Sequence, residues 1–319
     1  MKRFLSIILS LILLAGILSG CADSKTQSPI RIGMLNGPTG IGAVRLMEQN
    51  DKGESINKYE FTVSGAPTDI VSAVASGSLD IAALPTNVAC SLYNKTQGGV
   101  KIIAVNTLGV LYILEKGDSI KSIADLEGNT IFATGQGSTP EFALNHILKE
   151  NGLDNKVKII YLDSEELATR AASGDADVCL LPVPNATSVL LKNPDMRKAI
   201  DLNDEWAKIE SDSVLSMGCI VVSTEFQKNN PQAVNDFLKE YEASINYAKT
   251  NTDAAAALCE SYGMIPSAAV AENAIPDSAL TFISGEDMKD KLEGYYNVLF
   301  DSDAASIGGK LPDENFYLK

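Results

Sequence analysis

ASGSLDIAALP (Ala75–Pro85) is written again as ASGDADVCLLP (Ala172–Pro182), ninety-seven residues further along the chain. Ala, Ser, Gly, Asp, Leu and Pro recur at matching places. In each copy a glycine, Gly77 or Gly174, follows a helical stretch, where the left-handed conformation that ends a helix favours it. A short apolar run then reads as a buried strand. Pro85 and Pro182 end those strands, and Asp80 and Asp177 are expected to hold the turns before them.

The likeness extends upstream. The first copy begins with PIRIGMLNGPTGIGAVRLMEQ from Pro29: a strand, a glycine-rich turn, then helical spacing at Ile41, Val44, Leu46 and Met47. A strand at Tyr59–Val63, a turn SGAPTD and a helix from Ile70 to Ser76 follow. The second copy repeats the order with NTIFATGQGSTPEFALNHILKENG, KVKIIYL and SEELATRAAS, where Ser164 is the expected N-cap. Each half is β-α-β-α-β, and continuous apolar strands between helices indicate parallel sheets covered on both faces. This is duplication of a domain, not a solenoid of short period.

Two stretches join the halves, Lys101–Gly117 going out and Ser216–Phe226 coming back. Beyond them the chain reads as mostly helical. Asn230-Pro231 opens a helix with Val234, Phe237, Leu238, Tyr241 and Ile245 on one face. Thr252 caps another that Gly263 ends, and a third spans roughly Glu286 to Leu299, while the tail GGKLPDENFYLK takes no assignment. The expected fold class is α/β: two doubly wound lobes joined by two hinge crossings. Lobe one is residues 30–109 plus 217–319, and lobe two is residues 110–216.

The 319 residues carry a formal net charge of −15 and a sequence pI near 4.5. Bulk electrostatics therefore exclude nucleic acid and anionic membrane faces as partners. The first twenty residues differ in character. Lys2 and Arg3 precede an apolar run, Phe4–Leu18, too short for the ~20 residues of a membrane span and suited to a signal peptide. Its end, Leu18-Ser19-Gly20-Cys21, resembles the bacterial lipobox, which implies lipidation of Cys21. Residues 21–29 read as a flexible tether. The remaining cysteines, Cys90, Cys179, Cys219 and Cys259, form no C-x-x-C pair and are expected as free thiols.

In parallel α/β sheets ligands bind beyond the carboxyl ends of strands. Those ends are Asn36–Gly40, Ser64–Asp69 and Pro85–Asn87 in the first half, and Thr134–Thr139, Asp163–Glu165 and Pro182–Asn185 in the second. Several lead straight into helices, whose unpaired N–H groups suit anions or polar oxygens. No nucleotide motif is present, since GPTGIG is not G-x-G-x-x-G and no Walker lysine follows. His146, the only histidine, reads as a surface or satisfied helix residue. Glu165-Glu166 complements a helix dipole, and Trp206, the only tryptophan, reads as packing. No set of residues has zinc spacing or Ser/His/Asp character. Neither catalytic residues, metal nor cofactor are expected.

The segments FTVSGAPTDIVSAVASGSLDIAALPTNVA, SIADLEGNTIFATGQGSTPEFALNHILKENGL and VVSTEFQKNNPQAVNDFLKEYEASI occur in that order. They resemble the substrate-binding proteins of ABC transporters of the nitrate/sulfonate/taurine and thiamine-precursor type. The resemblance covers nearly all of the chain beyond the leader. It implies a type II periplasmic-binding fold that captures a small molecule between two lobes by hinge closure. It further implies a monomer, lipid-anchored at Cys21 on the extracytoplasmic face, that delivers the ligand to a permease and its ATPase. By position, the ligand-facing residues are Asn36, Thr39, Gly40, Pro67, Thr68, Thr86, Asn87, Gly137, Ser138, Thr139, Asp163 and Asn185. Two departures bear on the ligand. Val183-Pro184 replaces a more polar pair, and no Arg or Lys lies in these loops. A neutral or zwitterionic polar molecule, heteroaromatic rings included, is expected in place of an oxyanion, with Asp163 accepting from a ligand amine. The alternative is an enzyme on the same bilobal fold acting in cofactor-precursor metabolism.

Overall fold

A computed structural model describes residues 28–319. The signal segment, most of the tether and Cys21 lie outside the described residues. Eleven strands form two sheets among those residues. In chain order they are β1 (Ile30–Leu35), β2 (Tyr59–Ser64), β3 (Ile81–Pro85), β4 (Val100–Thr107), β5 (Leu111–Lys116), β6 (Thr130–Ala133), β7 (Lys158–Tyr161), β8 (Val178–Pro182), β9 (Met196–Asp201), β10 (Gly218–Ser223) and β11 (Leu280–Ile283).

The first sheet has the order β11-β4-β10-β3-β1-β2 and the second β7-β6-β8-β5-β9. Written from the opposite edge, the first is β2-β1-β3-β10-β4 with β11 added. The two sheets thus follow one plan. Three strands of each run parallel, as the repeat requires. The fourth, β10 or β5, is antiparallel to both its neighbours. Each fourth strand enters from the other half, because the chain crosses from β4 into β5 and returns from β9 into β10. The sheets are therefore mixed, and the crossings sit inside them instead of at an edge.

The repeated segment has the geometry its residues imply. Gly77 and Gly174 adopt φ of +74° and +85°, just past the helices Pro67–Ala75 and Ser164–Ser173. The strands that follow are buried except at their closing prolines and at Val178. Asp80 differs from the turn-holding role expected of it. Its carboxylate reaches back to β1, accepting from Arg31 N at 2.9 Å, Nε at 3.0 Å and Nη2 at 2.5 Å. Ser164 is not the cap of its helix: Asp163 accepts from Glu165 N at 2.9 Å and from Glu166 N at 3.4 Å. Thr252 likewise is the first residue of its helix, with Asn251 at the cap. The region beyond the crossings, read as mostly helical, also contributes β11.

Two apolar cores lie on the two faces of the sheets, and each draws residues from both halves of the chain. The helix Gly285–Asp303 is the main bridge. It packs on β4 of the first sheet and on the helix Thr139–Glu150 of the second half. Trp206, Tyr295, Tyr296 and Phe316 are fully buried there, with ring centroids 6.3 Å apart for Trp206–Tyr295 and 5.3 Å for Tyr295–Tyr296.

Candidate site at the strand ends

Six helices start where the repeat's strands end: the single turn Pro38–Ile41, then Pro67–Ala75, Thr86–Lys95, Thr139–Glu150, Ser164–Ser173 and Asn185–Lys192. A helix start leaves amide N–H groups without intrahelical partners, so each corner offers donors and the positive end of a dipole. Pro67 and Pro140 stand in first turns, where a missing N–H costs nothing.

In the first half Asn36, Ser64 and Gly65 lie side by side, because β1 and β2 are in register and Asn36 N donates to Ser64 O at 3.0 Å. Asn36 and Thr68 are exposed, while Pro67 and Asn87 are half-buried. Gly40 is scaffold, since a Cβ there would stand 2.0 Å from Leu35 O. Thr39 is held from behind, its carbonyl accepting from Asn106 Nδ2 at 2.8 Å. Asn106, 1% exposed, also donates to Tyr241 Oη at 2.7 Å, so it fixes the Asn36–Gly40 turn. Sequence reasoning passed over Asn106. An amide directly after the apolar run Ile102–Val105 was its signal.

In the second half Gly137 is exposed and Ser138 half-buried, and Gly137 N donates to Glu141 Oε2 at 2.6 Å. Asn185, half-buried, donates through Nδ2 to Ser164 Oγ at 2.7 Å, which ties two helix starts together. Asp163 is exposed but spends one oxygen on its own helix. The charges at these corners are carboxylates: Asp69, Glu141, Asp163 and Glu165.

Two of the expected residues turn inward. Thr86 is fully buried, its hydroxyl 2.8 Å from that of Ser216 in the returning crossing. Thr139 is 5% exposed, its hydroxyl 3.2 Å from that of Tyr295. Adjacent Tyr296 donates to Thr86 O at 3.1 Å. Two neighbouring tyrosines on one helix therefore touch a corner of the first sheet and a corner of the second, which brings the two sets of strand ends together.

Trp206 packs as expected, 1% exposed, with its centroid 5.3 Å from the ring of His146. His146 Nε2 lies 2.9 Å from Glu210 Oε1. Both line a cavity of about 720 Å³ between the end of the helix Thr139–Glu150 and the helix Gly285–Asp303, away from the strand-end corners. The four cysteines are free and buried. Burial pushes the thiols of Cys90, Cys179 and Cys259 up to about 12 and raises that of Cys219 as well. Among the described residues no group of three or more His, Cys, Asp or Glu is arranged to hold a metal ion. No helix among them is long and apolar enough to cross a membrane.

Residues 58–255 match the protein family described as NMT1/THI5 like. Among solved structures, an ABC transporter from Parabacteroides distasonis superimposes with a TM-score of 0.78 at 22% identity, covering 92% of this chain and 99% of that one. The periplasmic aliphatic sulphonate binding protein SsuA from Escherichia coli gives 0.69 at 16% identity, over 86% and 87% of the two chains. The ligand binding component of an ABC-type import system from Staphylococcus aureus, with zinc bound, gives 0.66 at 14% identity, over 92% and 97%. No curated protein matches the sequence. The likeness is one of fold, and it is the periplasmic-binding architecture that the resemblance implies.

Proposed function

We propose that this chain, which belongs to the NMT1/THI5-like family, is the extracytoplasmic substrate-binding protein of an ABC importer. Its lobes are residues 30–109 with 217–319 and residues 110–216, and the ligand lies between their strand-end corners. The observation that carries this reading is the meeting of corners from both sheets at Tyr295 and Tyr296. A molecule held between the outward-facing residues of those corners touches both lobes at once, so its binding energy can shift the balance between lobe arrangements. Ligand contacts are assigned to Asn36, Thr39, Pro67, Thr68, Asn87, Gly137, Ser138, Asp163 and Asn185, the exposed or half-buried members of the expected set. Gly40, Thr86 and Thr139, all buried, serve by shaping the walls. A permease and its ATPase are the partners, and lipidation of Cys21 tethers a monomer to the membrane.

The charge at the corners favours a ligand with a cationic or neutral polar group. Helix starts supply the donors, and carboxylates supply the formal charge. Hence a zwitterion, an amine or an aminated heteroaromatic ring fits, and a bare sulfonate does not. A thermal-shift screen of amines, pyrimidines, flavins, amino acids and sulfonates tests this. A ligand at ~100-fold its Kd stabilises by about 2.7 kcal/mol. That raises Tm by several degrees at roughly 2–4 °C per kcal/mol. No hit in any class would refute capture, and a sulfonate as the sole hit would refute the charge argument. Membrane fractionation tests the anchor: Cys21→Ser should release the chain from the membrane.

A further inference from the structure

The two halves are joined along two flanks besides the crossings, and the flanks differ in kind. One is the dry aromatic contact of Trp206, Tyr295 and Thr139, all buried. The other is polar. Lys198, on β9 of the second sheet, donates to Asp277 Oδ1 at 2.7 Å and Oδ2 at 2.8 Å. Its ammonium also stands 5.3 Å from the ring centroid of Tyr112 on β5. Tyr112 Oη donates to the Asp277 carbonyl at 3.1 Å.

Asp277 belongs to the other half. It sits between the helix Ala268–Ala274 and β11, and β11 pairs with β4 at Thr107, next to the outgoing crossing. Leu108 N in that crossing donates to Ala279 O at 3.1 Å. Ala279 itself has φ of +43°, a left-handed conformation that alanine rarely adopts. A strained residue persists only where its surroundings hold it. Here the strain sits in the short segment that carries Asp277 to Lys198 and Tyr112.

We infer that Lys198, Tyr112 and Asp277 form a releasable clasp across the hinge, while the helix bearing Tyr295 and Tyr296 is the fixed pivot. The Lys198 and Asp277 side chains are 41% and 23% exposed, so water replaces the partners when the contact parts. A contact of that kind opens at small cost. The buried aromatic flank has no such exchange available. The clasp rests on the two-lobe capture reading and adds to it the residues that set the resting balance of lobe arrangements.

The test needs no ligand, so the clasp and the capture reading fail separately. Spin labels are placed at Ser72→Cys and Thr169→Cys, both exposed and on helices of opposite lobes, in the full-length chain carrying Cys21→Ser. Native Cys90, Cys179, Cys219 and Cys259 are buried and stay unlabelled in the folded protein. Pulsed dipolar spectroscopy then reads the inter-lobe distance. Lys198→Met and, separately, Tyr112→Phe should each broaden the distribution and raise the minor population, by up to about five-fold for the ion pair. The reciprocal exchange Lys198→Asp with Asp277→Lys should restore the parental distribution. Distributions unchanged in both single variants would overturn the clasp. A shift that the exchange fails to reverse would overturn the pairing of Lys198 with Asp277.

Discussion

Asp80 and Asn87 stand seven residues apart, one within the first copy of the repeat and the other just beyond it, and are assigned different work. Asp80 is 8% exposed and takes three hydrogen bonds from Arg31. Asp80→Asn should cost about 1.5–3 kcal/mol, the range for hydrogen bonds to charged groups, visible as a lower urea midpoint with ligand affinity unchanged. Asn87→Ala should do the reverse, leaving stability within ~0.5 kcal/mol while calorimetry records weaker ligand binding. The cysteines carry a pH prediction. Their folded pKa values are raised by burial, to about 12 for Cys90, Cys179 and Cys259. An unfolded thiol titrates near ~8.5. The stability they contribute is whole below that value and is lost as pH climbs toward 12. Tm should therefore be lower at pH 10 than at pH 7, and a thiol reagent at pH 8 should react with the four only after denaturant is added.

At the scale of elements, the repeat was legible because helix stops and strand ends depend on local chemistry. Gly77 and Gly174 must reach positive φ, and Pro85 and Pro182 cannot continue a ladder on their nitrogen side. The cap of Ser164–Ser173 was misread by one residue, since Asp and Ser are both good N-caps and only the hydrogen-bond geometry separates them. β9, MRKAID, and β11, LTFI, were not legible. The first is charged and the second only four residues long, so neither shows a period; pairing with β5 and β4 makes them strands. Close packing at a corner yields a further test. Gly40→Ala would force its Cβ to 2.0 Å from Leu35 O, costing about 1–3 kcal/mol and displacing the Asn36–Gly40 turn. Stability and ligand affinity should fall together, unlike the outcome at Asn87.

Across the whole molecule, both apolar cores take residues from both halves, and the chain enters each sheet directly from the other, through the antiparallel strands β5 and β10. The lobes are consequently not independent folding units. Differential scanning calorimetry should show one transition with matching calorimetric and van't Hoff enthalpies. Two resolved transitions would contradict the shared cores. The lobe motion proposed for capture would accordingly be a rotation about the crossings and the aromatic flank, not a separation of two domains.

The sequence alone determined the duplication, the strand-end corners and the shortage of cationic groups at them. All three follow from contacts between residues near in the chain: a glycine at a helix stop, a proline at a strand end, an acid or amide at a helix start. Only the tertiary structure decided which corner residues face outward and which turn in. Thr86 and Thr139 look like Thr68 in sequence, yet each is buried against a partner more than a hundred residues away, Ser216 for one and Tyr295 for the other. The antiparallel insertion of β5 and β10, the support of Thr39 by Asn106 and the meeting of Lys198 with Asp277 have the same origin. Burial of a polar side chain depends on what the folded chain brings over it, and no local pattern records that.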